Sequence, residues 1–300
     1  ESISFKVSGV YKISLTLNHT SQSVIWMIGT LFSFTLMAIS GRELANDFDT
    51  FQILFWRSAS GVAIVILIIS FRGTKELKTN YLGKHVARNL IHFVSQYGWF
   101  YAIGIIPLAK VFAIEFTTPV WLALIAMLFL KERISKIRWL AIGLGFIGVL
   151  IITRPGLETS GYGEIAVLGS AIGYAVVYAI TKSISDKDSP LSILFYMVII
   201  QTPIALALSI ENWSWPSSEI SWIWVILVGA SALSGHYCMT RAFQLADASR
   251  VVPIDFLRLP IIAIIGYLAY SEIIEIWVII GALLIIGGNY LNVRLSPSIK

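Results

Sequence analysis

The sequence predicts an all-α membrane protein: ten transmembrane helices arranged as a 5+5 inverted repeat, with both termini cytoplasmic. Three observations carry this expectation. The 300-residue chain is 57% hydrophobic and 13% charged, with a mean hydropathy of +0.79, whereas a soluble domain carries about 25% charge. A globule of this composition would lack the polar surface to face water. Apolar runs of about 20 residues, the length that crosses a bilayer, recur between short polar breaks. Finally, the chain aligns with itself at a fixed offset of 140 residues.

The spans follow in order. Residues 1–22 are polar and mixed, without the apolar core or small-residue cleavage site of a signal peptide, and read as a cytosolic or interfacial lead-in. Span one, 23–45, stops at "NDFD"; span two, 50–71, at "RGTKELKTNYLGK"; span three, 84–104, at the tight turn "GIIPLA". Span four, 106–130, stops at "KERISKIR", and span five, 135–153, at "RPGLETSGYGE". The second half repeats the series: 162–182 before "SISDKDSP", 190–210 before "ENWSWPSSE", 220–243 before "QLADAS", 247–270 before "SEIIE", and 274–294. The domains are therefore two five-helix repeats, 23–153 and 162–294, and no linker is long enough for a soluble domain.

Placing the N-terminus in the cytoplasm puts most of the 22 basic residues on inner loops, among them Arg72, Lys75, Lys131, Arg133, Lys182 and Lys187. Arg42, Lys110 and Arg154 fall on the opposite face, and Arg57, Arg250 and Arg258 inside helices. Basic residues accumulate in cytoplasmic loops, which supports this orientation. Trp213, Trp215, Trp222 and Trp224 read as interfacial anchors, and the sequons at Asn18 and Asn212 as chance matches. The lone Cys238 forms no intrachain disulfide, and the absence of a long basic stretch interleaved with aromatics argues against nucleic acid as a partner.

At the 140-residue offset Gly29 meets Gly169, Ile53 meets Ile193, Tyr97 meets Tyr237, Phe116 meets Phe256 and Glu132 meets Glu272. An odd number of spans per copy sends the second copy into the membrane from the opposite side. Such inverted repeats are a physical basis for alternating access around a central site. The same offset lays Glu115 in "VFAIEFTTPVW" on Asp255 in "VVPIDFLRLPI". A charged side chain at bilayer depth costs about 2.5–3.5 kcal/mol on insertion scales, so it faces a partner or a wet cavity. Asp255 and Arg258, three residues apart, share a helix face. Pro119, Pro253 and Pro260 are expected to bend the same two helices.

The candidate substrate-binding residues are thus Glu115, Asp255, Arg258 and Arg57, with the polar and aromatic Gln96, Tyr97, Trp99, His236, Tyr237 and Tyr174 around them. Aromatic walls with a few polar tips suit an organic solute. The bland alternative is a set of ion pairs locking helices together, Asp255 with Arg258 and Glu115 with Arg57 or Lys110. No metal-ligand spacing, cofactor motif or nucleophile with an evident base is present, which argues against an intramembrane enzyme. The glycines of "GLGFIG" and "GALLIIGG" lie within spans and read as helix-packing positions rather than a nucleotide fingerprint.

The segments "YAIGIIPLAKVFAIEFTTPVWLALIAMLFLKERIS" and "RAFQLADASRVVPIDFLRLPIIAIIGYLAYSE", each ending in the Pro-then-Glu pattern at Glu132 and Glu272, resemble the drug/metabolite transporter superfamily, EamA-type. The resemblance implies a multi-pass protein of the bacterial inner or plasma membrane. It further implies that spans three, four, eight and nine line a central cavity, and that spans five and ten lie at the periphery, where a homodimer would form. The expected activity is secondary active transport of a small polar organic metabolite, zwitterionic and amino-acid-like or amino-acid-derived. Alternatives are export of cationic drugs or amines, or carriage of a nucleoside-like metabolite such as S-adenosylmethionine; a channel or an intramembrane enzyme is remoter. His236, Glu115 and Asp255 are the sites through which transport would couple to protons.

Overall fold

The computed structural model describes residues 19–130, 136–154, 161–245 and 254–295. The lead-in, the Asn18 sequon, Lys131, Glu132, Arg133, Arg250 and Pro253 lie outside them. Among the described residues there is no strand. The first half contains α1 (His19–Leu44), α2 (Thr50–Arg72), α3 (Leu82–Ile105), α4 (Leu108–Glu115), α5 (Thr118–Leu130) and α6 (Lys136–Thr153). The second contains α7 (Tyr162–Ser185), α8 (Pro190–Ser209), α9 (Glu219–Leu245), α10 (Arg258–Tyr270) and α11 (Ile276–Leu295).

Five of these, α1, α2, α7, α8 and α9, are long and apolar enough to cross a bilayer, and Ile142–Thr153, Arg258–Tyr270 and Ile276–Leu291 are shorter apolar stretches. The helix α3 is equally long, but Lys84, His85 and Arg88 occupy its first turns. Repeat-related positions use the same local chemistry. Asp49 caps α2 by accepting from the Gln52 amide at 2.8 Å, and Ser189, 140 residues on, caps α8 by accepting from the Ser192 amide at 3.0 Å.

Span four differs from its expectation. It is two helices, α4 and α5, separated by a turn at Phe116–Thr117, and span nine breaks at the equivalent Phe256–Leu257. Neither Pro119 nor Pro260 kinks a helix interior. Pro119 and Pro260 sit in the first turns of α5 and α10, where a missing N–H removes no intrahelical bond. Pro203 of α8 does lie inside a helix.

The two copies interlock. Most of the packing pairs α1 with α9, α3 with α7, α2 with α8 and α6 with α11, so each major contact crosses from one repeat to the other. Repeat mates run antiparallel: along α2 and α8, Arg57 meets Gln201 and Gly61 meets Val198, while along α6 and α11, Gly148 meets Ile285 and Ile152 meets Gly281. The α6/α11 crossing is close because both residues at it are glycine. A Cβ on Gly148 would lie 2.7 Å from the Gly281 carbonyl, and one on Gly281 would lie 2.6 Å from that of Gly148. The symmetry reaches hydrogen bonds: Arg42 donates to the Ile103 carbonyl at 2.5 Å, and Lys182 donates to the Phe243 carbonyl at 2.7 Å.

Candidate functional site

The break between α4 and α5 leaves Glu115 at a helix end, and the break before α10 does the same for Asp255. Both carboxylates turn to one cation. Arg258 Nη2 donates to Asp255 Oδ2 at 2.7 Å and to Glu115 Oε1 at 3.0 Å, and the other Glu115 oxygen accepts from Trp99 Nε1 at 2.7 Å. The guanidinium carbon of Arg258 lies 4.7 Å from the ring centre of Phe112, 5.4 Å from that of Phe34 and 5.7 Å from that of Phe116. An aromatic cage of this kind attracts a cation while excluding water. Two carboxylates share one guanidinium, so this cluster carries a net negative charge when all three are ionised.

A second polar layer joins α2, α3, α7, α8 and α9. The Gln96 amide satisfies its neighbours when its oxygen accepts from Arg57 Nη2 at 2.7 Å and from His92 Nε2 at 3.1 Å, and its nitrogen donates to Gln201 Oε1 at 3.1 Å. Gln201 in turn donates to His92 Nδ1 at 3.1 Å, which fixes His92 as the neutral Nε2–H tautomer. Arg88 donates to Thr181 Oγ1 at 2.7 Å and to Asn89 Oδ1 at 2.8 Å. The rings of His92 and His236 meet edge-on with centres 4.9 Å apart.

Between the two layers is a cavity. Glu115, Arg258 and Trp99 bound it on one side, His92, Gln96 and His236 on the other, and Phe34, Tyr174 and Tyr178 close the ring. Several lining residues are repeat mates: Phe34 and Tyr174, and Gln96 and His236, are each 140 residues apart. The cavity therefore sits on the pseudo-two-fold axis relating the halves, where inverted-repeat carriers place their substrate. Its free space is about 20 Å³, room for a water molecule and not for an organic solute.

The chain matches the EamA-like transporter family model twice, over residues 21–154 and 161–294. The chain belongs to the EamA-like transporter family. It is similar to a riboflavin transporter of Brucella anthropi (34% identity; 81% of this chain and 87% of that one). It also resembles an S-adenosylmethionine uptake transporter of Rickettsia prowazekii (26%; 88% and 89%) and a pseudopaline exporter of Pseudomonas aeruginosa (26%; 91% and 96%). A solved crystal structure shares the fold at a TM-score of 0.67 and 15% identity, covering 92% of this chain and 97% of that one. As an EamA-like protein the chain is a small-metabolite transporter and a multi-pass protein of the bacterial inner or plasma membrane.

Within this EamA-like fold, Glu115, Arg258, Gln96, Trp99, His236 and Tyr174 line the cavity. Asp255 stands behind Arg258, and Arg57 behind Gln96. Tyr97 lies elsewhere, between Phe51 and Tyr101, and Tyr237 packs on Trp26. Lys110 pairs with Glu164 of α7 at 2.7 Å, so Glu115 pairs with neither Lys110 nor Arg57. Trp213, Trp215 and Trp222 gather around Trp56. Sequence reasoning missed Arg88, Asn89, Gln201 and Phe34. Arg88 counted as one more basic residue on the cytoplasmic side, and Asn89 and Gln201 carried no motif; the visible signal for Phe34 was its offset from Tyr174.

Proposed function

We propose that the protein is a secondary active transporter that moves a zwitterionic, amino-acid-like or amino-acid-derived metabolite by alternating access. Its ten spans form a 5+5 inverted repeat with both termini cytoplasmic. The observation that carries this reading is a cavity on the pseudo-two-fold axis with a net-negative cluster on one side and, on the other, the Gln96 amide that holds the Arg57 guanidinium behind it. Glu115 and Asp255 meet the cationic group of the solute, and Arg258 or Arg57 meets its carboxylate. Trp99, Tyr174 and His236 supply the walls. The 20 Å³ cavity is the contracted form of a site that widens when the broken helices part from α1 and α7. The names of the riboflavin, S-adenosylmethionine and pseudopaline relatives support an organic metabolite with several polar groups.

Counterflow into proteoliposomes tests this. Preloading with the substrate is expected to accelerate uptake of labelled substrate from a panel of amino acids, methylated amines, nucleosides and vitamins, a trans-stimulation that a channel does not show. Acceleration by neutral, non-zwitterionic members alone would overturn the assignment of charge. Coupling to protons through His236, Glu115 or Asp255 predicts faster uptake under a pH gradient; equal rates with and without it would remove that part. A homodimer through α6 and α11 predicts a mass of two chains by light scattering in detergent.

A further inference from the structure

The layer above the cavity has an imbalance of charge that neither helix packing nor the carboxylate cluster accounts for. Arg57 and Arg88 are 1% and 0% exposed. The partners of Arg57 are the amides of Gln96 and Gln201, and those of Arg88 are Thr181 and Asn89. Among the described residues, no carboxylate lies within 4.0 Å of either guanidinium; Asp188 is held by His85 at 2.7 Å and Thr79 at 2.7 Å.

The hydrogen-bond inventory points the same way. Arg57 Nε, Arg88 Nη2 and Asn89 Nδ2 are buried donors without an acceptor, and His236 Nδ1 is a buried ring nitrogen without a partner. A buried guanidinium is stable when paired, and a donor left unmet in a low-dielectric interior loses its full hydration. An ion-pair lock would end in an acid. This layer ends in unmet N–H groups, and three of its members, His92, Gln96 and His236, line the cavity. Arg258 also has an unmet Nε, but Glu115 and Asp255 already take its Nη2 and neutralise its charge.

We infer that Arg57 and Arg88, with Asn89 and His236 beside them, form an anion subsite that takes the carboxylate or phosphate group of the transported solute. The inference rests on the transporter reading above and deepens it. It assigns the anionic end of the solute to α2 and α3, and leaves the cationic end to Glu115 and Asp255. The planar fork of arginine matches the two oxygens of a carboxylate or phosphate. Gln96, which holds Arg57 when the cavity is closed, yields its place to that group when the cavity fills.

The test is thermal unfolding of the detergent-solubilised full chain in sodium acetate and in sodium phosphate, for wild type, Arg57→Gln and Arg88→Gln. General salt effects are common to all three proteins, so the difference between wild type and variants reads the subsite. Expected is a rise of ~3 °C or more in wild type over each variant at saturating anion, and the more effective anion tells carboxylate from phosphate. Equal shifts in all three overturn the inference. If a variant fails to fold, modification of wild type by phenylglyoxal decides: phosphate or acetate must slow labelling of Arg57 and Arg88 by mass spectrometry, and unslowed labelling overturns the inference. Anion-specific stabilisation in a protein without counterflow would sink the transporter reading and keep the subsite. Counterflow without any anion effect would sink the subsite alone.

Discussion

The two broken helices share a backbone and differ in how they satisfy it. In the first, Thr117 and Thr118 turn their hydroxyls back to the carbonyls of Ile114 and Glu115 at 2.7 and 2.6 Å, and Asn289 of α11 donates to the Phe116 carbonyl at 3.0 Å. In the second, the residue equivalent to Thr118 is Arg258, which instead ties the break to both carboxylates. Carbonyls freed by a helix break inside a membrane must find donors within the protein. One copy meets this need with neutral donors, two local hydroxyls and an amide from the other repeat, while the other places at its break a charge that binds a carboxylate from each repeat. A pair of breaks with the same geometry can thus be closed by neutral donors in one half and carry a guanidinium in the other.

The sharpest way to break that contrast is Arg258→Leu. It strands Glu115 and Asp255 without their shared cation, and stability is expected to fall by about 3–5 kcal/mol, the usual cost of removing one partner of a buried ion pair. Counterflow should vanish. Unfolding in detergent and uptake in proteoliposomes measure the two effects. Asp255→Asn is milder for the fold because Glu115 still holds Arg258; expected is a protein of near wild-type melting temperature whose stabilisation by substrate is lost. Substrate stabilisation intact in this variant would make the pair a lock and not a site.

The first break should respond in stability and less in transport. Asn289→Leu orphans the Phe116 carbonyl and is expected to cost about 1–3 kcal/mol in thermal unfolding, with counterflow retained in the folded fraction. Thr118→Val, nearly isosteric, removes one local hydroxyl bond and should cost about 1 kcal/mol. A Thr118→Val effect as large as that of Arg258→Leu would erase the distinction between the halves.

Much of this was legible in the sequence because it is written in periodic or repeated form. The 140-residue offset brought Glu115 onto Asp255 and Gln96 onto His236, and both pairs converge near the axis. The i, i+3 spacing of Asp255 and Arg258 became a direct hydrogen bond. Apolar length does not reveal where a span is divided. "AIEFTTPVW" reads as one run, yet the helix breaks at Phe116–Thr117, where the Thr117 and Thr118 hydroxyls bond the carbonyls of Ile114 and Glu115. Nor does residue type fix direction. Tyr97 and Tyr237 match across the repeats, yet they face Phe51 and Trp26 away from the cavity, because a match says that two residues are equivalently placed in the two copies and not that they lie near the axis.

The cross-packing of α1 on α9 and α3 on α7 has a further implication for how the chain comes to be. Severed at the 154–161 joint, neither fragment would keep a complete neighbour for its longest helices, so each would depend on the other as one subunit of a heterodimer depends on its mate. The single polypeptide is, in mechanical terms, a tethered pair. The tether guarantees a one-to-one stoichiometry, and the glycine crossing of Gly148 and Gly281 closes the joint.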